Sequence, residues 1–189
     1  MRISLTQNDD DLKRYANQIG AIGQKKAHVA FARAINRVTT TVRGKVARAV
    51  ARQSSIPVSL VRKQMVRKTV RPGGGGVLEG AVVGTGGAIP LRVFRPKQFT
   101  WGVRVKLWGK QQRYSGMFIY AGRYNSGKEV ATGQVFQRTT TASLPIERQF
   151  GPAVPAEMIR TEARKEFERT VADMLPKRIQ HELSRMLPD

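Results

Sequence analysis

"AHVAFARAINRVTTTVRGKVARAVARQ", residues 27–53, carries the clearest periodicity in the chain. Phe31, Ile35, Val38, Val42, Val46 and Val50 recur at steps of three and four, which puts them on one face of an α-helix. Arg33 and Arg37 are four apart, as are Arg48 and Arg52, so each pair shares a face. The stretch reads as a helix with an apolar stripe and a basic side. Its β-branched run, Val38-Thr39-Thr40-Thr41-Val42, loses side-chain freedom in a helix, so tertiary packing is expected to hold it more than propensity does.

Upstream, Asp9-Asp10-Asp11 offers carboxylates that can cap a helix bearing Leu12, Tyr15, Ile19 and Ile22, with a break near Gly20 and Gly23. Downstream, Ser54 or Ser55 can cap a short helix to about Lys63, with Pro57 in its first turn. Met65 to Val70 reads as a strand with alternating basic residues, and "PGGGG", 72–76, as a flexible break. That run lacks the Lys-Ser/Thr of a phosphate-binding P-loop.

From 77 to 150 the pattern turns to β. "VLEGAVVG", "IPLRVF", "FTWGVRVKLW", "GMFIYAG" and "GQVFQR" are short, rich in Val, Phe, Ile and Trp, and bounded by glycines. Trp101, Val103, Val105 and Leu107 are expected on one strand face, and Arg104 and Lys106 on the other. Residues 121–133 read as a hydrophilic hairpin loop. In "SLPIERQFGPAVPAEM", 143–158, Pro145 removes a backbone donor from an extended apolar edge, and Gly151-Pro152 is expected to fix the turn into the last helices. Pro155 opens a long helix in which Ile159, Ala163, Phe167, Val171 and Leu175 step by four; Met158 and Met174 lie beside them. Pro176 is expected to break it, and a last helix follows with Ile179, Leu183 and Met186 or Leu187 apolar. Glu162, Lys165, Glu166 and Arg169 offer exposed pairs at helical spacing. The fold class is α+β within one domain over 1–189. A basic helical part covers 9–71 and a small antiparallel sheet or partly closed barrel covers 77–150. C-terminal helices cover 155–187.

Charge dominates the composition. The chain has 34 Lys+Arg against 13 Asp+Glu, a formal net charge of +21, and no acidic residue between Asp11 and Glu79. Such an excess repels itself and attracts polyanions. Nucleic acid and an acidic protein neighbour use the same cations, so charge leaves both open. Arg33, Arg37, Arg48, Arg52, Arg62, Lys63, Arg67 and Lys68 are the candidates for that surface. Leu144, Pro145, Ile146 and Phe150 are the candidates for a subunit interface. No apolar run is long enough for a membrane span, the N-terminus lacks the pattern of a secretory leader, and cysteine is absent.

Chemistry is hard to place. His28 and His181 sit in separate helices without a partner at metal spacing, and the aspartates suit a helix cap better than a magnesium site. No nucleophile motif, zinc-finger spacing or helix-turn-helix is present. Tyr114, Tyr120 and Tyr124 beside Arg113 and Arg123 come closest to a base-stacking platform, although packing is the better reading of the tyrosines. No catalytic residue, metal or cofactor is assigned.

A set of phrases in fixed order adds to this: "AFARAINRV", "VRKQMVRKTVR", "IPLRVF", "WGVRVKLWG", "SGMFIY", "VFQRTTT", "LPIERQFGPAVPAEM" and "LPKRIQHELSRML". Over about residues 25–187 the chain resembles the minor tail protein Z family of tailed bacteriophages and prophages, the tail completion proteins. The resemblance implies a non-enzymatic virion protein, made in the bacterial host cytoplasm and built into the neck at the head-proximal end of the tail. Its implied partners are copies of itself in a ring, sixfold to match the tail, with genomic DNA in the lumen. The tail terminator, tail tube and head–tail connector would be its protein neighbours, and no membrane is involved. A non-specific nucleic-acid-binding protein, or another neck component such as the terminator, is the alternative.

Overall fold

A computed structural model describes residues 2–6, 20, 23–71, 78–120 and 133–186. The Asp9–Asp11 cap and its apolar stripe, the glycine run at 72–76, nearly all of the loop at 121–133, Arg123, Tyr124 and Leu187 lie outside them.

The 27–53 periodicity resolves as one helix, α1, Gln24–Ser54. All six stripe residues are buried. Thr39, Thr40 and Thr41 each donate a hydroxyl hydrogen bond to the carbonyl four residues back. The β-branched run thus satisfies its polar atoms within the helix. A short helix α2, Val58–Lys63, follows. Pro57 is its N-cap and no side chain caps it. Ser54 instead ends α1, its hydroxyl donating to the Val50 carbonyl, while Ser55 takes the left-handed C-cap conformation, φ 65°. The two serines terminate one helix and do not start the next.

The β part forms four small antiparallel sheets among the described residues, with no closed barrel. Strand β1 (Arg2–Thr6) and β2 (Met65–Lys68) flank β3 (Glu79–Gly84). The segment β4 (Ala88–Pro90) leads into a 3-10 turn, Leu91–Phe94, so "IPLRVF" is a strand only as far as Pro90. Leu91 and Phe94 both face the core from this turn, a spacing of three that a 3-10 helix brings to one side. Strands β5 (Lys97–Phe99), β6 (Gly102–Leu107) and β7 (Lys110–Ser115) make a meander. Then β8 (Met117–Ile119), β9 (Val135–Arg138) and β10 (Ile146–Arg148) pair in the order β10-β9-β8. Strand β11 (Phe150–Ala153) pairs with β4. Gly151-Pro152 therefore lies inside a strand and not at a corner.

Val103, Val105 and Leu107 are buried as expected, but Trp101 stands in the β5–β6 turn, 39% exposed. Trp108 and Gly109, both at positive φ, close the β6–β7 hairpin with Leu107 opposite Lys110. Two positive-φ residues suit the twist of a two-residue hairpin turn.

The C-terminal helix is divided differently from the expectation. Helix α3, Val154–Met158, has Pro155 in its first turn, and α4, Thr161–Ser184, begins after a break at Ile159 and Arg160. Ile159 is left exposed at that break. Pro176 lies inside α4 and does not end it. A proline there forfeits one backbone hydrogen bond, at about 3 kcal/mol or more. Buried Phe167 on one side and Ile179 and Leu183 on the other hold both halves against α1. The ion pairs on α4 are Arg164–Glu168 and Lys177–Asp173, one helical turn apart.

Helices α1 and α4 share the most extensive interface in the fold. Residues 27–35 of α1 cluster with Ile179 and Leu183, while Val38 to Val50 cluster with Ala163 and Phe167, so the two helices run antiparallel. Leu175 packs against both clusters and joins them. Strand β3 crosses α1 at Gly80, where a Cβ would lie 2.6 Å from Ile35 Cγ2 and from Thr39 Oγ1.

Candidate functional site

All eight predicted cations are exposed. Among the described residues no ion pair joins any of them to a carboxylate. Arg33 and Arg37 lie on the exposed face of α1, where α4 brings Arg178, His181, Glu182 and Arg185 beside them. These six side chains line an open cleft of about 560 Å³. Arg178 and Arg185, on the last turns of α4, do not stand out in the sequence. They become neighbours of Arg33 and Arg37 only because the helices are antiparallel. His181 is exposed at the same cleft, so it is a surface histidine in a basic setting.

The remaining candidates continue along other elements. Arg48 and Arg52 are exposed one turn apart toward the C-terminal end of α1. Arg62 and Lys63 end α2. Arg67 and Lys68 lie on β2, an edge strand, where charge also discourages strand addition. Arg67 donates to the Thr40 hydroxyl, so it is tethered to α1. Arg43 has a different part: its guanidinium donates to the carbonyls of Met65 and Arg62, at 2.9 and 2.8 Å, and fixes the α2–β2 corner against α1. Asn36 exchanges two 2.8 Å hydrogen bonds with the Val70 backbone and holds the chain leaving β2 to the same helix. The basic surface is thus displayed by elements that are rigidly joined.

The interface candidates do not all behave alike. Leu144 is 68% exposed and Phe150 49%, Pro145 is exposed and Ile146 is half-buried. Strand β10, which begins at Ile146, is an edge of its sheet. The Pro145 carbonyl is taken by the Thr139 amide and hydroxyl. The Arg148 guanidinium lies over the Phe150 ring, 5.2 Å from its centre. The segment runs through β10 into β11 and leaves two large apolar side chains, Leu144 and Phe150, in solvent.

Tyr114 and Tyr120 pack rather than stand free. Tyr114 is half-buried against the core, and burial raises its phenol above the ordinary tyrosine value. Tyr120 sits edge-on to Phe136, centres 6.1 Å apart. Arg113 does meet an aromatic ring, but it is Trp101.

Among the described residues the one buried acid is Glu157, 1% exposed, on α3. Trp108 Nε1–H donates to Oε1 at 2.9 Å, and Gln53 Nε2 donates to Oε2 at 3.0 Å. Arg160 pairs with Oε1 at 3.1 Å and lies over the Trp108 ring. Each described donor is a side chain of the fold itself, and the carboxylate joins α1, the β6–β7 hairpin and the α3–α4 break. Among the described residues no group of three or more His, Cys, Asp or Glu is placed to hold a metal, and no helix is long and apolar enough to cross a membrane.

Comparisons of the chain with models of protein families, with curated proteins and with solved structures found no match.

Proposed function

We propose that this chain is a non-catalytic structural subunit of a tailed-phage neck. In this reading it is a minor tail or tail completion protein that assembles as a ring around the DNA passage and helps join head to tail. The observation that carries the reading is electrostatic. A chain of +21 displays its predicted cations without carboxylate partners among the described residues, and two helices converge four arginines on one cleft. Isolated copies repel one another, and closure around or against a polyanion relieves that repulsion. The setting comes from the resemblance of the ordered phrases to the tail completion family: a sixfold ring, with the tail terminator, tube and head–tail connector as neighbours and genomic DNA in the lumen. Exposed Leu144 and Phe150 beside the β10 edge offer apolar contacts to a neighbouring subunit.

The test is a charge reversal on α1. Arg48 and Arg52 are exposed, so Arg48→Glu with Arg52→Glu is expected to change stability by no more than about 0.5 kcal/mol. The same double variant is expected to impair assembly or DNA retention, read as infectious particles per total particle. Wild-type yield and infectivity would remove this surface from the account. A non-specific nucleic-acid-binding protein uses the same unpaired cations. It differs in remaining monomeric on DNA, which size measurements at equal loading distinguish.

A further inference from the structure

The outer face of the β5–β6–β7 meander carries a second basic surface, one the α1-centred reading does not use. With Val103, Val105 and Leu107 buried beneath, strand alternation puts Lys97, Phe99, Arg104, Lys106 and Arg113 together on the other side. Register sharpens this. Lys97 pairs with Arg104 and Arg104 with Arg113, so three cations stand side by side on one rung across three strands. Like charges directly opposite one another cost a sheet stability. No described carboxylate pairs with any of them, and the sequence has no acidic residue between Glu79 and Glu129.

The two guanidiniums of this set, Arg104 and Arg113, each lie against an aromatic ring. Phe99 and Trp101 stack with centres 5.2 Å apart and planes 9° apart. Arg104 lies 4.5 Å from the Phe99 centre and Arg113 lies 5.6 Å from the Trp101 centre. Each ring meets the other ring and one guanidinium. The planar hydrogen-bonding forks of Arg104 and Arg113 make no bond to a described residue. Beside them a depression of about 90 Å³ is lined by Phe94, Arg95, Lys97, Arg104, Lys106 and Gln111. Arg95, at its rim, holds a left-handed conformation, φ 51°, which a non-glycine residue adopts at a cost.

We propose that this face binds the sugar–phosphate backbone of nucleic acid, independently of base sequence. A row of cations at the regular spacing of paired strands suits a ligand whose charges are evenly repeated. Arginine forks fixed on aromatic rings suit phosphate oxygens. The stacked rings act as buttresses, and the depression takes one phosphate while the rung meets those next to it. This inference rests on the chain meeting a polyanion and not on its place in a tail.

The test uses the purified full chain and a short fluorescein-labelled duplex, with binding followed by polarisation across a salt series. Arg104→Gln with Arg113→Gln is expected to weaken binding about tenfold and to lower the log–log salt slope by about 0.9 for each phosphate that the variant no longer neutralises. Lys165→Gln with Arg169→Gln removes the same charge from the exposed side of α4 and is expected to stay within about twofold. Phe99→Leu with Trp101→Leu leaves every charge in place and is expected to weaken binding several-fold, with circular dichroism confirming the fold. Arg104→Lys with Arg113→Lys serves if that aromatic variant unfolds, since it keeps the charge but loses the fork. Equal losses in the meander and α4 pairs would reduce the effect to net charge and overturn the proposal. Wild-type binding to poly-glutamate in preference to duplex, lost with Arg104 and Arg113, would assign the face to an acidic protein. A wild-type chain that ignores duplex at low salt would sink the polyanion reading as a whole.

Discussion

Glu157→Ala is expected to destabilise the fold by about 2–4 kcal/mol, measured as a shift in denaturant midpoint at constant slope. The carboxylate is 1% exposed and accepts from Trp108 and Gln53 while pairing with Arg160. Removing it strips the acceptor from the Trp108 indole and one of two acceptors from Gln53 Nε2, which keeps the Glu157 carbonyl at 2.6 Å, and leaves Arg160 without its partner. The Arg160 side chain is 54% exposed and regains water, so its share of the loss is small. The geometry around it adds to the effect. Trp108 sits at φ 49° in the hairpin turn, and its backbone N–H approaches the Ser54 carbonyl at the end of α1. The next amide, Gly109, donates to the Ser55 hydroxyl at 3.0 Å. The hairpin tip thus serves as the C-terminal cap of α1, and Glu157 holds that tip by the indole. Glu157→Gln, which keeps an acceptor for the indole, is expected to cost roughly half as much. In a Trp101→Phe background, Trp108 fluorescence reports whether the tip has detached. A loss under about 0.5 kcal/mol for Glu157→Ala would show that the three elements are held together by packing alone.

Gly80→Ala is expected to cost about 1–3 kcal/mol, with the sign decided by the crossing of β3 over α1. In an ordinary strand the change limits the unfolded chain and gains about 0.4–1 kcal/mol. Here the added Cβ would fall 2.6 Å from both Ile35 Cγ2 and Thr39 Oγ1. Neither atom is the loose end of a long side chain. Both residues are buried on α1, and Thr39 is fixed by its hydrogen bond to the Ile35 carbonyl. Strand and helix must separate, and the loss spreads to the neighbours that α1 buries. Thr39→Ala removes one of the two clashing atoms. In combination with Gly80→Ala it is expected to recover about 0.5–1 kcal/mol relative to the sum of the single changes. Strict additivity would mean that β3 and α1 do not touch in this way.

These two residues also mark where the sequence is informative and where it is not. Helix α1 is readable because six buried positions at helical spacing outweigh a poor β-branched run. Pro176 reads as a stop because a local signal takes no account of what is buried on both sides of it. Phe167, Ile179 and Leu183 keep the helix whole by packing on a segment more than a hundred residues away. The turn at Leu91–Phe94 reads as a strand from its composition, although its apolar spacing of three after Pro90 is a usable signal. Among the functional candidates, the α1 arginines are visible because periodicity fixes a helix face. Arg178 and Arg185 need the antiparallel pairing of α1 with α4, and the Lys97–Arg104–Arg113 rung needs strand register. Neither follows from local pattern. The acid-free run from 80 to 128 is the available signal for the second surface.

Both basic surfaces and the exposed apolar edge serve one claim, that copies of this chain close around a negative axis. Electron microscopy of the purified full chain, alone and with duplex DNA at low salt, tests it most directly. The account predicts closed rings, sixfold if the tail resemblance holds, with density on the axis when DNA is present. Single subunits scattered along the duplex, or a monomer indifferent to it, would contradict it.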